Sequence, residues 1–207
     1  MGLNIAVFAS GRGSNFQALH HAIKDDAEKA RIAVVISNNS DAGALVAARS
    51  FHIPAIHLSQ KQYSSNAEFV EAILRTLESF QVTLIVLAGY MKKIAPEVIG
   101  KYRNRIINIH PALLPAFGGQ GMYGLRVHEA VIAAGEKISG ATVHIVDEEF
   151  DHGKIILQES VPVEPNDTPE TLAERVLKVE HTLLPRAVRL FADNKIEILN
   201  NEVHILS

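Results

Sequence analysis

Asn108 and His110 are the residues whose types and spacing most directly suggest chemistry. They sit in the run Arg105-Ile-Ile-Asn-Ile-His-Pro-Ala-Leu-Leu-Pro-Ala-Phe-Gly-Gly119. Ile106, Ile107 and Ile109 are β-branched and predict a strand that stops at Pro111. Side chains two apart on a strand share a face, so Asn108 and His110 point the same way, roughly 6–7 Å apart at Cα. An amide donor beside an imidazole that titrates near neutrality can meet developing negative charge and move a proton. Two polar groups in a buried strand are costly unless they have partners or work. From spacing alone, a hydrogen-bonded structural histidine and a functional one weigh equally. The proline-stiffened exit lies where open α/β sheets bind ligands, beyond the C-terminal ends of their strands.

The elements that must position this pair are legible in the preceding half. Apolar runs at 3–9, 31–37, 53–58 and 82–87 read as buried strands, and 16–23, 42–51 and 64–80 as helices between them. Phe69, Val70, Ile73, Leu74 and Leu77 give the last of these its apolar face. This alternation predicts a Rossmann-like α/β fold: an open, mostly parallel sheet with helices on both faces. Between the first strand and helix lies Ser10-Gly-Arg-Gly-Ser-Asn15, a turn whose glycines let backbone approach a ligand and whose helix start favours an anion. Ser14 and Asn15 could also cap that helix, so a phosphate cradle and a structural turn stand level.

Farther on, 139–147 alternates as a strand with Thr142 and His144 on one face, and an acidic turn at 148–153 leads into a returning strand at 154–163. Gly153 should supply backbone freedom to that turn. Val127 to Ala134 should begin a helix, and a capped helix should start at Pro169 and run to about Phe191, with a break expected at Pro185. Glu180, inside it, reads as a surface carboxylate. A small hairpin around Asn200-Asn201 should end the chain.

With 207 residues, 47% of them hydrophobic, the chain suits one domain, with an N-terminal half of about 1–100 and a C-terminal half of about 101–207. A net charge of −3 gives no reason to expect nucleic-acid binding. The absence of cysteine excludes disulfides, thiolate metal sites and cysteine nucleophiles. Ten histidines form no convincing metal-ligand pattern, so no metal is expected. No apolar run approaches a membrane span, and no leader pattern opens the sequence, so a cytoplasmic protein is expected.

The wording of several segments goes further than their periodicity. Asn-Ile-His-Pro-Ala-Leu-Leu-Pro, ending at Pro115, resembles the Asn-x-His-Pro-Ser-Leu-Leu-Pro motif of folate-dependent formyltransferases. Ala88-Gly-Tyr-Met-Lys-Lys-Ile94 and the run from Gly140 to Gln158 resemble two further motifs of that family, in its order and spacing, and the likeness extends from Gly11 to Pro185. The resemblance implies that Asn108, His110 and Asp151 are catalytic, with His144 in support. It implies that Met91, Lys92, Lys93 and Ile94, together with Asn108, line a folate site, and that Asn66 stands where many relatives carry an arginine toward the folate tail. Gly13, Ser14 and Asn15 would hold a ribonucleotide phosphate, and Glu180 the rest of that substrate. After Pro115 the chain departs into a glycine-rich loop, 118–124, and no role passes to His128.

The implied reaction is formyl transfer from 10-formyltetrahydrofolate, as co-substrate, to the amine of glycinamide ribonucleotide in de novo purine biosynthesis. The implied partners are these small molecules, with neither nucleic acid nor membrane, for a monomer or homodimer. Asn108 and a protonated His110 would face the oxyanion, and Asp151 should raise the pKa of His110. The alternatives are another folate-dependent formyl enzyme, such as a formyltetrahydrofolate deformylase, or a nucleotide-binding module.

Overall fold

The computed structural model describes residues 2–200 and 202–206. In chain order the elements are β1 (Leu3–Phe8), α1 (Ser14–Ile23), β2 (Ala30–Ser37), α2 (Gly43–Ser50), β3 (Ala55–His57), α3 (Asn66–Ser79), β4 (Leu84–Leu87), α4 (Pro96–Lys101) and β5 (Ile106–His110). They continue with α5 (Leu125–Ala133), β6 (Ile138–Ile145), β7 (Ile155–Pro162), α6 (Pro169–Ala192), β8 (Ile196–Leu199) and β9 (Glu202–Ile205). The main sheet runs β3-β2-β1-β4-β5-β6-β7. The chain divides into two compact units, one ending at Ile107 and the other beginning at Asn108.

In the first unit β1 pairs parallel with both β2 and β4, and β2 pairs parallel with β3. Parallel strands carry helices on their faces and are therefore apolar on both sides. Ile5, Val7 and Phe8 of β1 and Leu84, Ile85 and Val86 of β4 are accordingly wholly buried. α3 begins at the Ser65 cap, whose side chain accepts from Glu68 N at 3.2 Å. Of its expected apolar face, Val70, Ile73 and Leu77 are buried, while Phe69 and Leu74 are half-exposed. The six-residue α4 has no counterpart in the sequence reading. One and a half turns carry too little periodicity to register, even with Pro96 at the first position.

The second unit is built on the antiparallel β6–β7 pair, with α6 packed on both strands and on α5. The expected break at Pro185 does not occur, and α6 continues through it. Proline removes one helical hydrogen bond. Leu183, Leu184, Ala187 and Val188 around it are wholly buried, and their packing holds the helix together. The terminal hairpin forms from β8 and β9. Asn200 lies at its turn in the left-handed region (φ 49°), and Asn201 lies outside the described residues.

Candidate active site

β5 places Asn108 and His110 on one face as its period requires, while Ile107 and Ile109 are buried on the other. His110 is only 3% exposed. Thr142 and His144 share a face of β6, and the 146–154 connection brings Asp151 back to His144 and Asn108. Asp151 adopts φ 55°, a left-handed conformation unusual for a residue with a side chain. Gly153 supports this turn differently from expectation. A Cβ there would lie 1.7 Å from the Ile145 carbonyl oxygen, so glycine is required by close approach of backbone rather than by rotational freedom.

Hydrogen bonding fixes the protons. His144 Nδ1 lies 2.9 Å from the Ile145 carbonyl, which can only accept, so Nδ1 carries the hydrogen and Nε2 is bare. Asn108 Nδ2 donates to that Nε2 at 3.1 Å and to Asp151 Oδ1 at 3.3 Å. Both amide hydrogens of Asn108 are therefore engaged. His110 Nε2 donates to the Phe117 carbonyl at 2.8 Å, and its Nδ1 faces Asp151 Oδ2 at 3.5 Å. Gly119 N donates to the same Oδ2 at 3.0 Å. Phe117 also has φ 55°, so the loop at the site holds a second left-handed residue.

Burial pushes the His110 imidazole below its ordinary pKa and outweighs the opposing pull of the Asp151 charge and the Phe117 carbonyl. The expected upward shift is thus corrected: Asp151 raises His110, but desolvation wins. Burial alone would raise Asp151, yet the facing His144 ring, the neighbouring His110 and the hydrogen bond from Gly119 N together hold it below the usual carboxylate value. The resting pair is an ionised Asp151 beside a neutral His110 whose Nδ1 lone pair is open to a proton.

Sequence assigned no role at the site to Thr142, Gln158 or His128, and it read Glu180 differently from where the structure puts it. Thr142 and Gln158, opposite each other across β6–β7, tie down the turn after His110. His128 on α5 is 3% exposed with Nδ1 lacking a partner, and burial, then the His110 charge, lower it to about 4. Glu180 on α6 is buried rather than a surface carboxylate.

In the first unit, the glycine turn is more constrained than its sequence suggested. Gly13 has φ 78°, and a Cβ there would approach Ala44 Cα to 2.7 Å. It occupies the helix-capping position itself, so Ser14 and Asn15 lie in the first turn of α1 and neither caps it. Their amides belong to the N-terminal end of the helix, the end that favours anions. Ser10 organises the neighbouring loops: its hydroxyl donates to Asn38 Oδ1 at 2.5 Å and accepts from Met91 N at 2.9 Å, while Asn39 Nδ2 donates to the Ser10 carbonyl at 2.6 Å. Met91, Lys92 and Lys93 are exposed and Ile94 is buried. A cavity of about 690 Å³ lies beside them, lined among others by Lys61, Asn66, Tyr90, Lys92, Lys93 and Ile94. Among the described residues, no cluster of three or more His, Asp or Glu could hold a metal ion, and no helix is long and apolar enough to cross a membrane.

The family model described as "Formyl transferase" matches residues 3–188. The chain belongs to the formyl transferase family. It is 40% identical over 184 residues to phosphoribosylglycinamide formyltransferase of Bacillus subtilis, covering 89% of this chain and 92% of that protein. It is 43% identical over 192 residues to the chloroplastic phosphoribosylglycinamide formyltransferase of Vigna unguiculata, covering 93% of this chain but only 62% of that longer protein. The crystal structure of glycinamide ribonucleotide transformylase 1 from Symbiobacterium toebii superposes with a TM-score of 0.93 at 39% identity, covering 100% of this chain and 95% of the other.

Proposed function

We propose that this chain transfers the formyl group of 10-formyltetrahydrofolate to the amine of glycinamide ribonucleotide, with Asn108, His110 and Asp151 as the reacting centre. The observation that carries this reading is the buried pair of an ionised Asp151 and a neutral His110, 3.5 Å apart, with Asn108 donating to the same carboxylate. The amine attacks the formyl carbon, giving a tetrahedral oxyanion and a cationic nitrogen. That nitrogen loses a proton as the folate nitrogen gains one. His110 in its neutral form can take up the proton at Nδ1, completing an ion pair with Asp151, and return it to the leaving nitrogen. The oxyanion needs donors already in place. His110 Nε2–H meets it by exchanging the Phe117 carbonyl for the substrate oxygen, and Asn108 by giving up its longer bond, to Asp151.

The ribonucleotide phosphate is assigned to the N-terminus of α1, at Gly13, Ser14 and Asn15, and Glu180 to the same substrate. The folate is assigned to Met91, Lys92, Lys93, Ile94 and Asn108. Asn66 carries no charge, but the cavity beside it is lined by Lys61, Lys92 and Lys93, which suit the folate carboxylates. The reading brings with it a cytoplasmic enzyme of one functional domain, monomeric or homodimeric.

The test is absorbance-monitored turnover of 10-formyltetrahydrofolate with and without glycinamide ribonucleotide, alongside His110→Ala. Turnover that depends on the ribonucleotide and is lost in the variant is expected. Folate turnover without the ribonucleotide indicates a deformylase instead, and no turnover at all overturns the proposal.

A further inference from the structure

The turn that follows His110 has almost no backbone partners of its own. Pro111 and Pro115 lack N–H groups, and Ala112 and Leu114 are buried away from water. Its polar atoms are met instead by two side chains. Thr142 Oγ1 donates to the Ala112 carbonyl at 2.6 Å and accepts from Leu114 N at 3.1 Å. Gln158 Nε2 then donates both hydrogens, to the Leu114 carbonyl at 2.8 Å and to Thr142 Oγ1 at 2.9 Å. The threonine hydroxyl is saturated, with one hydrogen given and two received. Register makes this possible: Thr142 and Gln158 are directly opposed on β6 and β7 and so project from the same face.

We propose that Gln158 is a positioning residue for His110, acting through Thr142 and the 112–114 turn. The chain leaving this turn reaches Phe117 three residues later, and the Phe117 carbonyl holds His110 Nε2 at 2.8 Å. Next to it, Gly118 lies so close that a Cβ would meet Leu114 Cδ2 at 2.5 Å and Asp151 Cβ at 3.1 Å. Leu114 is therefore the hinge point on which both contacts to the catalytic pair depend. Gln158 fixes its carbonyl from a strand that contributes nothing else to the centre. Gln158 is itself exposed, so without its amide the Leu114 carbonyl and one lone pair of Thr142 lose their fixed partner and are left to mobile water. The turn then relaxes, and the Phe117 contact loosens with it.

The inference rests on the assignment of His110 as a reacting residue, so its test has two arms. In the first, kinetics are compared for wild type, Gln158→Met, Thr142→Val and the double variant, each verified as folded by its thermal transition. Gln158→Met keeps length and volume but supplies no donor. It is expected to lower kcat 10- to 50-fold while KM for both substrates changes less than 3-fold. The double variant should be within about 2-fold of the worse single variant, because both act on one turn. Thr142→Ser, which keeps the hydroxyl, should restore near wild-type kcat.

The second arm needs no substrate: the ring ¹⁵N resonances of His110 report whether Nε2–H remains hydrogen-bonded, and the bonded signature should be lost in Gln158→Met. Loss of the Phe117 acceptor should also move the kinetic limb of His110 to lower pH. A folded Gln158→Met with wild-type kcat and an unchanged His110 resonance overturns the proposal, as does full additivity of the two losses. If the wild type shows no formyl transfer while the resonance still shifts, the functional reading fails and the positioning of His110 by Gln158 stands.

Discussion

Replacing Asp151 by asparagine removes one charge while leaving the side chain nearly the same shape. The carboxylate lies 3.5 Å from His110 Nδ1, and both side chains are largely withdrawn from water. At an effective dielectric of about 20, a unit charge pair at that distance interacts by about 5 kcal/mol, an upper bound on the support given to an imidazolium. Solvent access to Asp151, whose side chain is 11% exposed, and the partial charge transfer of a transition state reduce the share felt in catalysis to about 3–4 kcal/mol. That corresponds to a fall of roughly 10²- to 10³-fold in kcat. The new amide also disturbs Asn108, because an Nδ2 group in the Oδ1 position would face another donor instead of accepting from it. Steady-state kinetics under saturating folate and ribonucleotide give kcat, and titration with a non-reacting folate analogue gives binding. Binding should change by less than about 5-fold. A turnover within 3-fold of wild type would refute the role of Asp151 and, with it, the electrostatic argument for the pair.

His128→Leu should blunt acid sensitivity. A buried histidine held at about 4 costs stability as pH falls below the unfolded value of about 6.5, and between there and pH 5 this amounts to about 2 kcal/mol. The drop in thermal midpoint from pH 7 to pH 5 should shrink in the variant; an undiminished drop removes His128 as its source. Gly13→Ala should weaken ribonucleotide binding at least 10-fold and lower the midpoint, since it forces a left-handed alanine against Ala44 backbone; isothermal titration and a melting curve read both, and unchanged values contradict the seat described for this turn. Lys61→Gln and Lys92→Gln should each raise folate KM about 2- to 5-fold with kcat unchanged, an effect that fades above about 0.5 M salt; a salt-independent rise points to lost packing instead.

The parts of the fold read most directly from sequence were those with a strong repeating signal. β1, β2 and β4 rest on apolar runs and β5 on its three isoleucines, and the alternation in β6 placed Thr142 and His144 on one face from sequence. α4 escaped because Pro96–Lys101 is too short to carry a period, and α6 was expected to break because local propensity at Pro185 says nothing of the buried residues that hold it. Strand spacing put Asn108 and His110 on one face, but their catalytic role came from the family motif. Asp151 came only from family wording, since an acidic turn residue has no periodicity that aims it at another strand. The sign of the His110 shift was misjudged for a similar reason: an adjacent carboxylate can be guessed from motif order, but the depth of burial that opposes it belongs to the assembled core. Gln158 and Ser10 act through bonds to residues 44 and 81 positions away, distances over which single-sequence patterns are silent.

The β6–β7 hairpin is pinned at both ends by glycine. A Cβ at Gly140 would meet the Glu159 carbonyl oxygen at 2.2 Å, just as one at Gly153 would meet that of Ile145. A slip of one residue would drive a side chain into backbone at each seat and turn Val143 toward the centre in place of Thr142 and His144. Single insertions or deletions inside this hairpin therefore abolish the site outright, leaving no graded series of weakened forms for selection to work through. Length has more freedom in 120–124, beyond the Gly118 and Gly119 contacts to Asp151, whereas any one-residue change between Gly140 and Gln158 breaks this register.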